Sequence, residues 1–245
     1  ADTPEEAVAQ FKGELEGSSR SREATIYGLV LALTKAGRPE EAALALDGIW
    51  SDREQRIEYI IADAEIALAS GKPELAAQKL QVRLQLSPGN HPLTMSYAHA
   101  LQQSQQSHLA EEVLIDQSRL KPGDPGLWYL LAEVQGLSGN IIGLHQSRAE
   151  YFILVGNLDA AQRQLVYALK LVGDDFTNRG AVHSVWSRLG RVASQEQAPQ
   201  EQYALARQSS GAAEQKSLTG ILGEQRRGVP ALPVGRPIKM VLKRF

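Results

Sequence analysis

Apolar side chains recur along most of this chain at the three- and four-residue spacing that is typical of amphipathic α-helices. Turn-forming residues interrupt this pattern at intervals of 34 positions, at Gly37, Gly71, Gln105 and Gly139. A helix-forming stretch follows each of the first three, as residues 37–42 illustrate. The pattern therefore predicts pairs of helices joined by short turns, repeated with a period of about 34 residues.

Small and large apolar residues also recur in register when each of these four residues is counted as position 15. Position 8, on the first helix of each pair, is occupied by Val30, Ala64, Ala98 and Ala132. On the second helix, position 20 is occupied by Ala42, Ala76 and Ala110, and position 24 by Leu46, Leu80 and Leu114. Small side chains let two helix axes approach closely. The sequence therefore predicts an all-α solenoid of the tetratricopeptide (TPR) type, in which antiparallel helix pairs form a right-handed superhelix with a concave face.

The repeat pattern shifts by half a period after Gly139. The motif is lost there and returns 17 residues later, after Gly156, with Ala161 and Leu165 at the expected positions. We expect one helix, from about Ile141 to Val155, to close one pair and open the next. The face that would serve both contacts consists of Leu144, Ala149, Phe152 and Ile153.

The chain divides into three predicted segments. Residues 1–20 form a lead-in with a short amphipathic helix from Pro4 to Glu16, and residues 21–192 form the TPR domain of four to five repeats, which ends in a helix from Ala181 to Val192. Residues 193–245 are first linker-like and then basic and rich in Pro and Gly, a composition that predicts flexibility or a non-native extension.

Charge narrows the range of partners. The net charge is −2, but the segment after Glu224 contains six basic residues and no acidic one, so residues 1–224 carry 20 basic and 28 acidic groups, a net charge of −8. A body this acidic is a poor candidate for nucleic-acid binding. The basic tail could instead touch an anionic membrane or nucleic acid through Leu242 and Phe245. No apolar run approaches the roughly 20 residues that span a bilayer.

No catalytic constellation is present. The chain has no cysteine, and none of its five histidines is followed by Glu, so a His-Glu-x-x-His zinc motif is absent from this sequence. A phosphate-binding loop and a Gly-x-Ser-x-Gly elbow are absent as well. We therefore expect no enzymatic activity, no metal and no cofactor in this chain.

The predicted binding groove consists of side chains at positions 5 and 9 of each first helix. Position 5 is Tyr27, Ile61, Met95 and Tyr129, and position 9 is Leu31, Glu65, His99 and Glu133. These positions contain no Lys, Arg or Asn that could clamp a carboxylate. An apolar and aromatic stripe edged by acids suits an extended protein segment that alternates apolar with polar or basic residues. The alternative is that the position-5 side chains belong mainly to the core.

Residues 144–152 and the following 156–161 resemble the C-terminal TPR domain of the periplasmic HExxH zinc metalloproteases, the BepA/YfgC-like proteins of Gram-negative bacteria. Residues 125–133 and 27–33 fit the same domain, and the resemblance covers about residues 20–192. It implies a periplasmic parent protein, a protease and chaperone for outer-membrane β-barrel assembly, whose zinc site lies before Ala1. It also implies that the TPR half binds its own protease domain, the assembly machinery or unfolded clients. The tail from about residue 211 departs from the family.

Two other functions stay open at this point. A free-standing TPR adaptor in secretion, pilus or cell-wall assembly would show the same repeats. An enzyme in its own right is the third possibility, and the missing motifs disfavour it.

Overall fold

The computed structural model describes residues 3–17, 21–50, 56–172 and 179–194, and all regular structure within these segments is helical. The helices are α1 Pro4–Glu16, α2 Arg22–Lys35, α3 Pro39–Asp47, α4 Ile57–Ala69, α5 Pro73–Leu86, α6 His91–Gln103, α7 Ser107–Leu120, α8 Pro125–Ser138, α9 Ile141–Leu154, α10 Leu158–Val172 and α11 179–194. Helices α1–α10 belong to one compact unit that spans Ala1–Arg191.

The predicted turns between helices share one backbone conformation. Gly37, Gly71, Gly139 and Gly156 have φ values of 70°, 71°, 83° and 76°. Glycine adopts this left-handed conformation without a steric penalty, which explains its recurrence at these turns. Gln105 adopts the same conformation with φ of 62°, and it is the single non-glycine residue with positive φ among the described residues. The backbone conformation of the turn is therefore the same at the turn where Gln105 replaces glycine.

The residues at positions 8, 20 and 24 form the core of the stack. None of the ten residues named above for these positions has more than 3% of its surface exposed, and Ala42, Ala76 and Ala110 are fully buried. The alanines let the paired helices approach closely, and Leu80 and Leu114 belong to one hydrophobic cluster that spans α4 to α8. The prediction of an all-α TPR-type solenoid is thus confirmed.

Helices α2, α4, α6 and α8 form the inner row of the stack. From α1 to α10 each helix packs against the next one in sequence, and in addition α2 contacts α4, α4 contacts α6 and α6 contacts α8. No such contact joins α3 with α5 or α5 with α7 within the described part of the chain. Helices on the inside of a curved stack lie closer together than those on the outside. The face lined by α2, α4, α6 and α8 is therefore the concave one.

Helix α1 packs against α2, and Val8 lies in the hydrophobic cluster that contains Leu29 and Val30. At the other end, Val182 and Leu189 of α11 are buried. The predicted division at residues 20 and 192 stays a prediction. The basic tail lies outside the described residues, which end at residue 194.

The shifted region contains the helix that was expected to serve two pairs. Helix α9 packs against both α8 and α10, and Ala149 and Ile153 on the predicted face are buried. Leu144 and Phe152 on the same face are half-buried.

Buried and partly buried hydrogen bonds accompany this shift, and the sequence pattern did not predict them. The Glu111 carboxylate of α7 accepts hydrogen bonds from Ser138 Oγ and from Asn140 Nδ2, both at 2.6 Å. Deeper in the contact between α8 and α9, Ser147 Oγ donates to Gln135 Oε1 over 2.7 Å. Glu111, Gln135 and Ser147 are all buried. We refer to these five residues as the buried polar network.

A candidate peptide-binding groove

The eight predicted groove residues all lie on the inner row of helices. Each of α2, α4, α6 and α8 contributes two of them: Tyr27 and Leu31, Ile61 and Glu65, Met95 and His99, Tyr129 and Glu133. Because these pairs are one helical turn apart, the two side chains of a pair lie on the same face of their helix. The repeat therefore aligns them along one surface.

Their exposure differs between the two positions. At position 9, Glu65, His99 and Glu133 are exposed, whereas Leu31 is half-buried. At position 5, Tyr129 is 53% exposed, and the other three residues are half-buried against the core clusters. Core packing and surface exposure thus occur together along this stripe, and Tyr129 is its most accessible aromatic ring.

At the N-terminal end, Tyr27 lines a pocket of about 290 Å³ with residues of α2 and α4. Its hydroxyl donates to the backbone oxygen of Glu58 over 3.3 Å. Burial raises the pKa of Tyr27, and the nearby carboxylates of Glu58 and Glu65 raise it further. Two predicted groove residues, Tyr27 of α2 and Glu65 of α4, thus interact electrostatically.

The charges in this N-terminal pocket satisfy one another. Arg56 Nη1 lies 2.5 Å from Glu23 Oε1, and its guanidinium group lies over the ring of Tyr59, 4.8 Å from the centroid. The Tyr59 hydroxyl donates to the same Glu23 carboxylate. These contacts tie α2 to α4. Because these charged and hydroxyl groups already bind one another, few of them are available to a ligand in this pocket.

At the C-terminal end, Tyr129 and Glu133 line a second pocket of about 240 Å³, which we call the C-terminal pocket. Its walls come from α8, α9 and α10. The residues that form it are Tyr129, Ala132, Glu133, Arg148, Tyr151, Phe152 and Gln164.

Aromatic rings dominate the walls of the C-terminal pocket. The centroids of Tyr129 and Tyr151 are 5.7 Å apart at an interplanar angle of 63°, and those of Tyr151 and Phe152 are 5.3 Å apart at 62°. Both pairs have the edge-to-face geometry that aromatic quadrupoles favour. The three rings therefore form one continuous cluster beside the groove.

Charged groups of both signs lie at the C-terminal pocket. Hydrogen bonding to the Glu133 carboxylate and its negative charge raise the pKa of Tyr129. Arg148, on the opposite helix, acts on the pKa of Tyr129 in the other direction. Among the described residues, neither Glu133 nor Arg148 forms an ion pair with an opposite charge. Both remain able to contact a ligand.

Sequence reasoning missed the half of this pocket that α9 and α10 supply. The sequence indicated no binding role for Arg148, which lies in the stretch that resembles the metalloprotease family, and it predicted Phe152 only in a helix contact. Gln164 Oε1 lies 2.7 Å from His145 Nδ1, which holds its amide beside the pocket. The half-period shift already predicted α9 beside α8, and it was also the signal that could have indicated Arg148 at the groove.

The described residues show neither a metal cluster nor a membrane span. No group of three or more His, Asp or Glu side chains is arranged to hold a metal ion in these segments. No helix among them is long and apolar enough to cross a membrane.

No family model matches this chain, and no curated protein matches it. Several solved structures resemble it at low identity. TTC0263, a thermophilic TPR protein of Thermus thermophilus, is 19% identical over 67% of this chain and 98% of its own, with a TM-score of 0.44. MamA 41-end from Desulfovibrio magneticus RS-1 is 15% identical over 71% and 97%, with a TM-score of 0.48. MamA MSR-1 C2 is 16% identical over 68% and 98%, with a TM-score of 0.47. The likeness concerns the fold alone.

Proposed function

We propose that this chain is a non-catalytic protein-interaction domain that binds an extended protein segment along its concave row of helices. The observation that carries this proposal is the C-terminal pocket. Two of the predicted groove residues, Tyr129 and Glu133, line it, and it joins the exposed ring of Tyr129 to charges that form no ion pair among the described residues. Such a combination is typical of sites that anchor a peptide side chain.

The chemistry of the groove defines the class of peptide. Apolar side chains at position 5 offer contacts for alternate side chains of an extended segment. The exposed carboxylates of Glu65 and Glu133 favour polar or basic residues between them. Unfolded strands of outer-membrane β-barrels alternate in this way, and they are the clients that we propose.

The resemblance of residues 144–161 supports a finer proposal about the parent protein. In it, this chain is the client-handling part of a periplasmic zinc metalloprotease and chaperone. The zinc and the catalytic residues belong to a protease domain outside these residues, and the groove or another face binds that domain or the barrel assembly machinery. A free-standing adaptor is the competing proposal.

Substitution of two groove tyrosines tests the binding function. We expect Tyr27→Ala with Tyr129→Ala to weaken binding of a fluorescent β-barrel strand peptide by about tenfold or more, as loss of aromatic anchors does at other interfaces. Helix content and melting temperature should stay close to those of the wild type. Leu44→Ala, at a 74% exposed position on the outer helix α3, is the control and should bind normally. Loss of helicity together with binding would show that the rings are core residues.

The intact mass of the native protein, captured from its source with an antibody to this domain, tests the proposed parent. A species far heavier than 26.7 kDa, with an HExxH segment ahead of Ala1, is the expected result. A native species of about this mass would contradict the protease parent and favour the free-standing adaptor. The groove proposal does not depend on this outcome.

A further inference from the structure

The C-terminal pocket has a size and a lining that select one kind of side chain. Ligand sites for small molecules usually enclose about 300–1,000 Å³. With about 240 Å³, this pocket is large enough for a single large side chain and too small for most complete ligands. A side chain presented by a peptide in the groove is therefore the best-matched occupant.

The walls favour an aromatic occupant over an aliphatic one. Tyr129, Tyr151 and Phe152 already pack edge to face, and a fourth ring could extend this cluster. Arg148 adds a planar guanidinium group, which stacks on aromatic faces more favourably than an ammonium group does. An aliphatic side chain would gain only burial from the same walls.

The polar groups favour an aromatic residue with a hydrogen-bond donor. The Glu133 carboxylate lies at the wall with no ion-pair partner among the described residues, and it can only accept hydrogen bonds when ionised. The indole N–H of Trp and the hydroxyl of Tyr can donate to it, whereas Phe cannot. A basic side chain gains less in this pocket, because repulsion from Arg148 offsets its attraction to Glu133.

We propose that the C-terminal pocket binds a Trp or Tyr side chain of the client segment, with the ring against Tyr129 and Tyr151 and its donor on Glu133. This inference rests on the proposed function, since the peptide must lie in the groove to present the side chain. It adds a sequence preference: one donor-bearing aromatic residue that occupies the end of the groove formed by α8, α9 and α10.

A double-mutant cycle tests the pocket directly. The probe is a fluorescein-labelled peptide of about twelve residues that alternates apolar and basic side chains and has one Trp, together with its Trp→Ala and Trp→Phe versions. For the wild-type domain, anisotropy titration should show about tenfold weaker binding of the Ala peptide and about fivefold weaker binding of the Phe peptide. For Tyr129→Ala, the Trp and Ala peptides should differ by only about fivefold, because the ring contact with Tyr129 is lost while Glu133 still accepts the donor of Trp.

Two further variants complete the test. Glu133→Met keeps the side-chain length and removes the acceptor, so the preference for Trp over Phe should disappear while the preference for Phe over Ala remains. Tyr167→Ala, at a similarly exposed tyrosine of α10 that does not line the pocket, should leave every preference unchanged.

The possible failures are distinguishable. Binding with the same Trp-to-Ala ratio in the wild type and in Tyr129→Ala would overturn the pocket assignment and leave the groove proposal intact. Equal binding of all three peptides to the wild type would do the same. If no peptide bound at any concentration, both the pocket and the groove proposals would be overturned.

Discussion

The regular repeats from α2 to α7 and the shifted region from α8 to α10 bury their helix contacts with different chemistry. In the regular repeats, the central contacts are alanines and leucines at fixed positions, such as Ala76 and Leu80, both fully buried. In the shifted region, Ala161 and Leu165 keep this pattern between α9 and α10, but α8 meets α9 through Gln135 and Ser147.

This difference shows how a repeat array can change register. Apolar contacts are non-directional, so a row of Ala and Leu positions accepts the next identical unit wherever its shape fits. Hydrogen bonds require partners at defined distances and angles. The bonds of Glu111 to Ser138 and Asn140 fix where α9 begins, because Asn140 is also the N-cap residue of that helix. We infer that the buried polar network specifies the half-repeat shift.

The largest expected effect on the free energy of unfolding comes from the buried leucine that each region has at the same repeat position. Leu80→Ala and Leu165→Ala each remove a side chain with no exposed surface, and each should lower the free energy of unfolding by about 3 kcal/mol. Urea denaturation followed by circular dichroism measures both. Leu44→Ala should change the free energy of unfolding by less than about 0.5 kcal/mol. A much smaller effect at Leu165 than at Leu80 would mean that the shifted region does not use the repeat core.

A smaller effect on the free energy of unfolding is expected at the contact of α8 with α9, where the two regions differ. A Cβ atom at Gly143 would lie 2.6 Å from Gln135 Nε2 and from Asn140 Nδ2. Both amides are held by the buried polar network and cannot move without losing hydrogen bonds. Gly143→Ala should therefore lower the free energy of unfolding by about 2 kcal/mol.

Gly13→Ala is the matched control for this substitution. Gly13 also lies within a helix, α1, but a Cβ atom there meets nothing within 4 Å. Its replacement should raise the free energy of unfolding by about 0.5–1 kcal/mol. If both variants were stabilised, the close contact of α8 with α9 would not constrain the shift.

The turns allow a third test, in which one substitution should raise the free energy of unfolding. Gln105 has φ of 62° where the other turns have glycine. Since glycine adopts this conformation freely, Gln105→Gly should raise the free energy of unfolding by about 1 kcal/mol. Gly71→Ala, at φ of 71°, should lower it by a similar amount. Thermal and urea denaturation of both variants would measure this, and a destabilised Gln105→Gly would show that the Gln side chain itself supports the turn.

The regular repeats were readable from the sequence because they rest on residue type and spacing alone. Buried Ala and Leu positions repeat every 34 residues, and Gly lies at most of the turns between the helices. The buried polar network could not be predicted from the sequence, because Glu and Gln are the residue types usually found on the exposed face of a helix. The C-terminal pocket was half predicted. Tyr129 and Glu133 followed from the repeat, while Arg148 and Gln164 depend on how α9 and α10 pack.

The ion pair between α9 and α11 allows the finest test of the shifted region. Burial raises the pKa of Glu150 above its value in the unfolded chain, and Arg188 offsets this only in part, from 2.7 Å. The folded protein thus binds a proton at Glu150 more readily than the unfolded chain does. Its free energy of unfolding should gain a contribution from Glu150 as the pH falls from neutral to the unfolded pKa of about 4.3.

Comparison with Glu150→Gln isolates this contribution, because the other carboxylates titrate alike in both proteins. The free energy of unfolding of Glu150→Gln, minus that of the wild type, should be largest at neutral pH. This difference should decrease as the pH is lowered. Arg188→Met removes the opposing charge and should steepen the pH dependence of the protein that retains Glu150. Urea denaturation of the three proteins from neutral pH down to the unfolded pKa of about 4.3 would measure these slopes. Parallel slopes for the wild type and Glu150→Gln would mean that Glu150 is as well solvated in the folded protein as in the unfolded chain, and that the contact of α11 with α9 is not buried in solution.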